Sequence, residues 1–152
     1  MRIESYASEL FRCVVVALFA GDAHANEACD EIEGHRQHEI GNWKRAYALL
    51  APCEMNDDVV GITLYRISDH VSLGGRGPSL PPRLRRFKRT GLYFRSALLG
   101  YGPGIVRIAE VWEDEYRIYA DESSKRIANC FRSSFDLWTD QRIFAVKACM
   151  KI

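Results

Sequence analysis

Apolar positions in this chain recur at helical spacing, and no period-two alternation of useful length interrupts them. The stretch from Trp43 to Ala51 places Trp43, Ala46, Tyr47 and Leu50 at i, i+3, i+4 and i+7, the stripe of a packed helix. Ahead of it, Ala28 to Ile40 is polar and helix-compatible, with Ile32 and Ile40 as sparse apolar positions; Gly41-Asn42 separates the two, and Pro52 falls at or just beyond the second helix's end. Asn56-Asp57-Asp58 offers an N-cap cluster for a helix from Val59 to Ser72. Ile62, Tyr65 and Ile67 pack there, and Gly61 costs about 1 kcal/mol relative to alanine. Gly74-Gly75-Arg76-Gly77-Pro78 reads as a loop, Ser79 as a cap and Pro81-Pro82 as a first turn. A helix over Arg83 to Leu99, weakened by Gly91, leads to a turn at Gly100 to Gly104. The next runs from Ile105 to Tyr119, with Ile105, Ile108, Ala109 and Trp112 on one face. Asp121 caps a helix from Glu122 to Leu137, and a short last helix runs from Thr139-Asp140 to Cys149. The expected fold class is all-α.

Residues 1–25 read as a cleaved signal peptide rather than part of the fold. Arg2 and Arg12 bracket a mildly polar leader, Cys13 to Ala20 is an apolar run too short to span a bilayer, and Ala23-His24-Ala25 supplies small residues before a cleavage site at Asn26. Glu4 and Glu9 favour the competing reading, a buried N-terminal helix. Leu10-Phe11-Arg12 before Cys13 lacks the small residues of a lipoprotein signal, and no other run approaches the roughly 20 apolar residues of a spanning helix. The expected product, residues 26–152, is a single periplasmic or secreted domain with 19 basic and 17 acidic residues.

Export changes the meaning of the cysteines. Four remain after the leader: Cys29, Cys53, Cys130 and Cys149. An even count in an exported chain suggests disulfides, and four cysteines allow three pairings. Cys29 and Cys53 are equidistant from Gly41, and Cys130 and Cys149 are centred on Thr139-Asp140. Residues equidistant from the turn of an antiparallel helical hairpin face each other. This favours Cys29–Cys53 and Cys130–Cys149, with free buried cysteines as the alternative.

Little else in the chain suggests catalysis. His35 and His38 share a helical face at i, i+3 near Glu31 and Glu39, but the HRQHE stretch is no complete zinc motif, and two exposed helical histidines are the simpler reading. His70 stands alone, expected on a helix surface near the loop. Gly74-Gly75-Arg76-Gly77 lacks the strand and Lys-Ser/Thr of a phosphate loop. Ser68-Asp69-His70 joins three catalytic residue types, but adjacent helical residues point in different directions. Neither SxxK nor KTG is present; Lys88-Arg89-Thr90-Gly91 does not supply the latter. No metal or cofactor is expected.

Charge is distributed more informatively. No acidic residue lies between Asp69 and Glu110, where Arg76, Arg83, Arg85, Arg86, Lys88, Arg89, Arg95 and Arg107 fall. Glu110, Glu113, Asp114 and Glu115 follow. The basic and acidic helices either cross-pair or leave a basic patch for an acidic protein, an anionic lipid or a glycan. Nucleic acid is not expected as a partner of an exported chain. The candidate partner-binding residues are Arg83, Arg86, Arg89 and Tyr93, with Arg76 in the adjacent loop; 86, 89 and 93 lie at i, i+3, i+7.

Ser96-Ala97, Gly100, Gly104, Ile108-Ala109 and Trp112 resemble the small-residue, glycine-turn and aromatic pattern of the Sel1-like repeat, a relative of the tetratricopeptide repeat. A fainter copy lies 44 residues upstream, with Cys53 for Ala97, Asn56 for Gly100, Leu64 for Ile108 and Ile67 for Val111; Gly41-Asn42-Trp43, Ala46 and Gly75-Arg76-Gly77 add further family positions. The resemblance covers Gly41 to Glu115, with departures at Asn56, Tyr65 and Ser68. It implies a short right-handed α-solenoid of antiparallel hairpins, used as an adaptor or regulator that binds a protein and is no enzyme. It also implies a concrete variant, because small exported Sel1-like proteins include immunity proteins that neutralise secreted toxic effectors. A peptidoglycan- or β-lactam-acting enzyme and an anionic lipid or glycan binder are the alternatives.

Overall fold

A computed structural model describes residues 28–72 and 79–151. The leader expected over residues 1–25 and the loop carrying Arg76 lie outside the described residues. Among the described residues, seven α-helices follow one another: α1 (Glu31–Glu39), α2 (Trp43–Leu50), α3 (Gly61–Ser72), α4 (Pro82–Leu98), α5 (Gly102–Tyr119), α6 (Glu122–Phe135) and α7 (Thr139–Cys149), with a 3-10 segment, Ala51–Met55, after α2. The described residues contain no strand, so the all-α expectation holds. None of these helices is long and apolar enough to cross a membrane.

Neighbours in sequence pack together: α1 on α2, α3 on α4, α4 on α5, α5 on α6 and α6 on α7, with α7 also reaching α4. Two apolar clusters result. Leu50, Leu64 and Ile67 anchor the first; Ile105, Phe131 and Val146 anchor the second. Helix α4 belongs to both, because adjacent residues on a helix point about 100° apart: Leu92 enters the first cluster and Tyr93 and Ala97 the second.

Both cysteine pairings inferred from the turn positions are present. Cys29 is bonded to Cys53 and Cys130 to Cys149. The first closes the α1–α2 segment from just before α1 to the 3-10 segment; the second joins α6 to the last residue of α7. Such bonds form in oxidising compartments.

Three local expectations need correction. The turn after α4 ends sooner than proline suggests. Gly100 takes the left-handed conformation (φ +77°), and the amides of Gly100 and Tyr101 reach back to the carbonyls of Ala97 and Ser96, the Schellman arrangement. Helix α5 then begins at Gly102, because Pro103 in a first turn forfeits no intrahelical hydrogen bond. Gly61 is not an interior weakness but the first residue of α3, and a Cβ there would lie 2.6 Å from Tyr101 Cβ. The backbone fits this closely because Gly61 carries no side chain, and Ser96 Oγ donates to its carbonyl at 2.7 Å. Finally, Asn56-Asp57-Asp58 lies in the turn upstream of α3 instead of adjoining its first residue, and Pro81, not Ser79, is the N-cap of α4. Asp121 does cap α6, accepting from the amides of Ser123 and Ser124, and those bonds hold its carboxyl below the usual range.

Candidate functional site

Helix α4 divides into two halves of different character. Residues 91–97 include the buried Gly91, Leu92, Tyr93, Ser96 and Ala97. From Ser79 to Thr90 no described residue is buried. The sequence explains the division: from Arg83 to Thr90 only Leu84 and Phe87 are apolar, and five of the eight residues are cationic. The first half therefore sends no side chain into either apolar cluster and forms a half-exposed, positively charged stretch, started by Pro82 in its first turn just after Leu80, which packs against the first cluster.

Three of the five candidate binding residues sit on this cationic half. Arg83 is exposed, its guanidinium 5.8 Å from the Phe87 ring centroid, a cation–π distance. Arg86 is exposed and reaches Glu115 of α5 at 3.4 Å. Arg89 is half-buried; its carbonyl accepts from Ser68 Oγ at 2.9 Å. Arg76 lies outside the described residues. Tyr93 is in the core, not on the surface: it is 6% exposed, and its hydroxyl donates to Asp69 Oδ1 at 2.7 Å. Burial, helped by this bond to a carboxylate, pushes the phenol above its ordinary pKa. The helical spacing of 86, 89 and 93 is real, but the helix passes from solvent into the core between its members.

The basic window is partly neutralised by acids from outside it. Glu54, largely buried at the end of the 3-10 segment, lies 3.6 Å from Lys88 and 4.0 Å from Arg95, and its carbonyl accepts from Arg95 at 2.7 Å. Arg107 pairs with Glu110 at 2.9 Å. With Arg86–Glu115, four of the window's cations have carboxylate partners. Arg83, Arg85 and Arg89 have none within ion-pair distance among the described residues. Arg85 instead donates to the Leu80 carbonyl at 3.0 Å, which braces the start of the helix. Exposed pairs such as Arg86–Glu115 contribute only about 0–1 kcal/mol and exchange readily for a partner's carboxylate.

The histidines are placed differently from the surface reading. His70 is 1% exposed, and its Nε2 lies 3.2 Å from His38 Nδ1. His35 is half-buried, bonded to Thr63 and Arg66 of α3. A signal for His70 was available: it stands three residues after Ile67 and beside Val71, on the apolar stripe of α3. No local pattern foretells its meeting with His38, 32 residues away. Ser68-Asp69-His70 forms no catalytic constellation, since the three side chains go separately to the Arg89 carbonyl, Tyr93 and His38. Cys29, Glu31 and Cys53 bring potential ligand atoms within 4.8 Å of one another, but the two sulfurs are bonded to each other and are not thiolates.

No family model, curated protein or solved structure matches the chain.

Proposed function

We propose that this protein is an exported, periplasmic Sel1-like repeat module that binds a protein partner through the cationic first half of α4. The observation that carries this reading is the exposed Arg83 and half-buried Arg89, without carboxylate partners among the described residues, on a helix whose other half is locked into both apolar clusters. A cationic surface on a rigid mount favours an acidic partner and fast association. Two disulfides support the oxidising compartment. The repeat reading draws support from burial in the proposed 44-residue register: Cys53 and Ala97 are both fully buried, as are Leu64 and Ile108 to within 2%. On this reading the protein acts as an adaptor or regulator, and its most specific form is an immunity protein whose arginines cover an acidic cleft of a secreted toxin.

The test is capture of interacting proteins from periplasmic extract by the oxidised protein, alongside the Arg83→Glu/Arg89→Glu variant. One stoichiometric partner, bound at least about tenfold more weakly by the variant, is the expected result. Equal affinity of the two forms would remove α4 from the interface. Arginine-dependent flotation with anionic vesicles, and no protein retained, would replace the protein partner with a lipid surface.

A further inference from the structure

Helix α1 is held on the molecule with little help from apolar burial. Its buried residues are Gly34 and Gln37, while Ile32 is 87% exposed. Against α3 it rests on imidazoles. Arg66 Nη1 lies 2.9 Å from His35 Nδ1, and a guanidinium can only donate, so Nδ1 is an unprotonated acceptor. The ring's one proton then sits on Nε2, which donates to Thr63 Oγ1 at 2.9 Å. One helical turn on, His38 Nδ1 faces His70 Nε2 at 3.2 Å. That contact also needs one nitrogen without a proton. The imidazole contacts between α1 and α3 therefore each depend on a neutral imidazole nitrogen, while Arg66 adds bonds to the His35 carbonyl and to Glu39 that do not.

The surroundings reinforce this requirement. From α1, Glu31 and Glu39 favour a charged His35, but Arg66 of α3 opposes it and engages Glu39 at 3.3 Å. From α2, Trp43 and Tyr47 pack their rings around His38 and His70. Asp69, next to His70 on α3, is occupied by Tyr93 of α4. Burial, with Arg66 second, holds the His35 pKa below its ordinary value of 6.5.

We propose that α1 is an acid-released strap, docked on α3 while His35 and the His38–His70 pair keep their acceptor nitrogens bare, and freed from α3 when those nitrogens take up protons. Cys29–Cys53 at one end and the turn at Gly41 at the other keep the freed segment tethered. Release uncovers Thr63 and Arg66 on α3. The sign follows from linkage: a histidine whose folded pKa is depressed contributes its full stability above about pH 6.5 and loses it as pH falls from there through the folded value.

Amide hydrogen exchange on the oxidised protein, corrected for intrinsic rates, tests this at about pH 7.5 and about pH 5. Protection across α1 should fall at least about tenfold relative to α5. The His35→Gln/His38→Gln variant should lose that pH dependence. Equal protection of α1 at both pH values, or parallel loss in α1 and α5, would overturn the proposal. Imidazole NMR titration of the unaltered protein gives a check that needs no variant. His35 should titrate together with the loss of α1 protection; titration that leaves α1 protected would refute the strap.

Discussion

The two ends of the molecule carry the same covalent device on different foundations. Each end is closed by a disulfide, spanning 24 residues at the N-terminal side and 19 at the C-terminal side. At the C-terminal end the bond joins helices that are already anchored: Phe131 of α6 and Val146 of α7 are fully buried in the second cluster. Arg142 adds to this by donating to the carbonyls of Gly100 and Phe135, which ties α7 to the turn before α5. At the N-terminal end α2 is anchored by Leu50, but α1 contributes no buried apolar side chain and relies on histidine contacts, the disulfide and a close backbone approach. A crosslink thus reinforces packing at one end and substitutes for it at the other.

The contrast breaks most visibly at Phe131. Phe131→Ala should lower global stability by about 3–5 kcal/mol in denaturant unfolding, because the ring is fully enclosed and its neighbours relax only in part. Removing the disulfides sharpens the comparison. The chain-entropy model gives about 3 kcal/mol for loops of this length, but the losses should differ in kind. In Cys29→Ser/Cys53→Ser, hydrogen exchange should accelerate in α1 well ahead of α4 and α5. In Cys130→Ser/Cys149→Ser, α7 should stay docked and the loss should appear as a shift of the whole unfolding transition. Identical exchange patterns in the two variants would erase the distinction. The smallest effect is expected at Gly34→Ala, where the new methyl would lie 2.6 Å from Leu50 Cδ2. Overpacking of this kind costs about 1–3 kcal/mol, and the midpoint of chemical unfolding would report it.

What was legible in the sequence follows the range of the forces involved. The α2 stripe of Ala46, Tyr47 and Leu50 and the α5 face of Ile105, Ile108 and Ala109 are buried as their spacing implies, because periodicity records which side of a helix meets the core. The cystine pairs were legible because turn position converts sequence distance into spatial facing. The surface was harder to read. Tyr93 looked like a partner of Arg86 and Arg89 because spacing gives direction around a helix but not where along it the core begins. The cross-pairing of Lys88 and Arg95 with Glu54 and the His38–His70 contact join distant segments, which local patterning does not encode.

Helix α4 has a mechanical consequence beyond its charge. Its last two turns are clamped between the two clusters, and its first two turns are held by polar links to Glu54, Ser68 and Glu115, so it is a beam fixed firmly at Leu92 and Tyr93 and lightly at its other end. A load on the lightly held end is passed along the helix to Leu92 and Tyr93. Grip on the arginines is therefore transmitted to both halves of the molecule at once, with Tyr65 of α3, packed against Tyr93 and Tyr101, as a second tie between them.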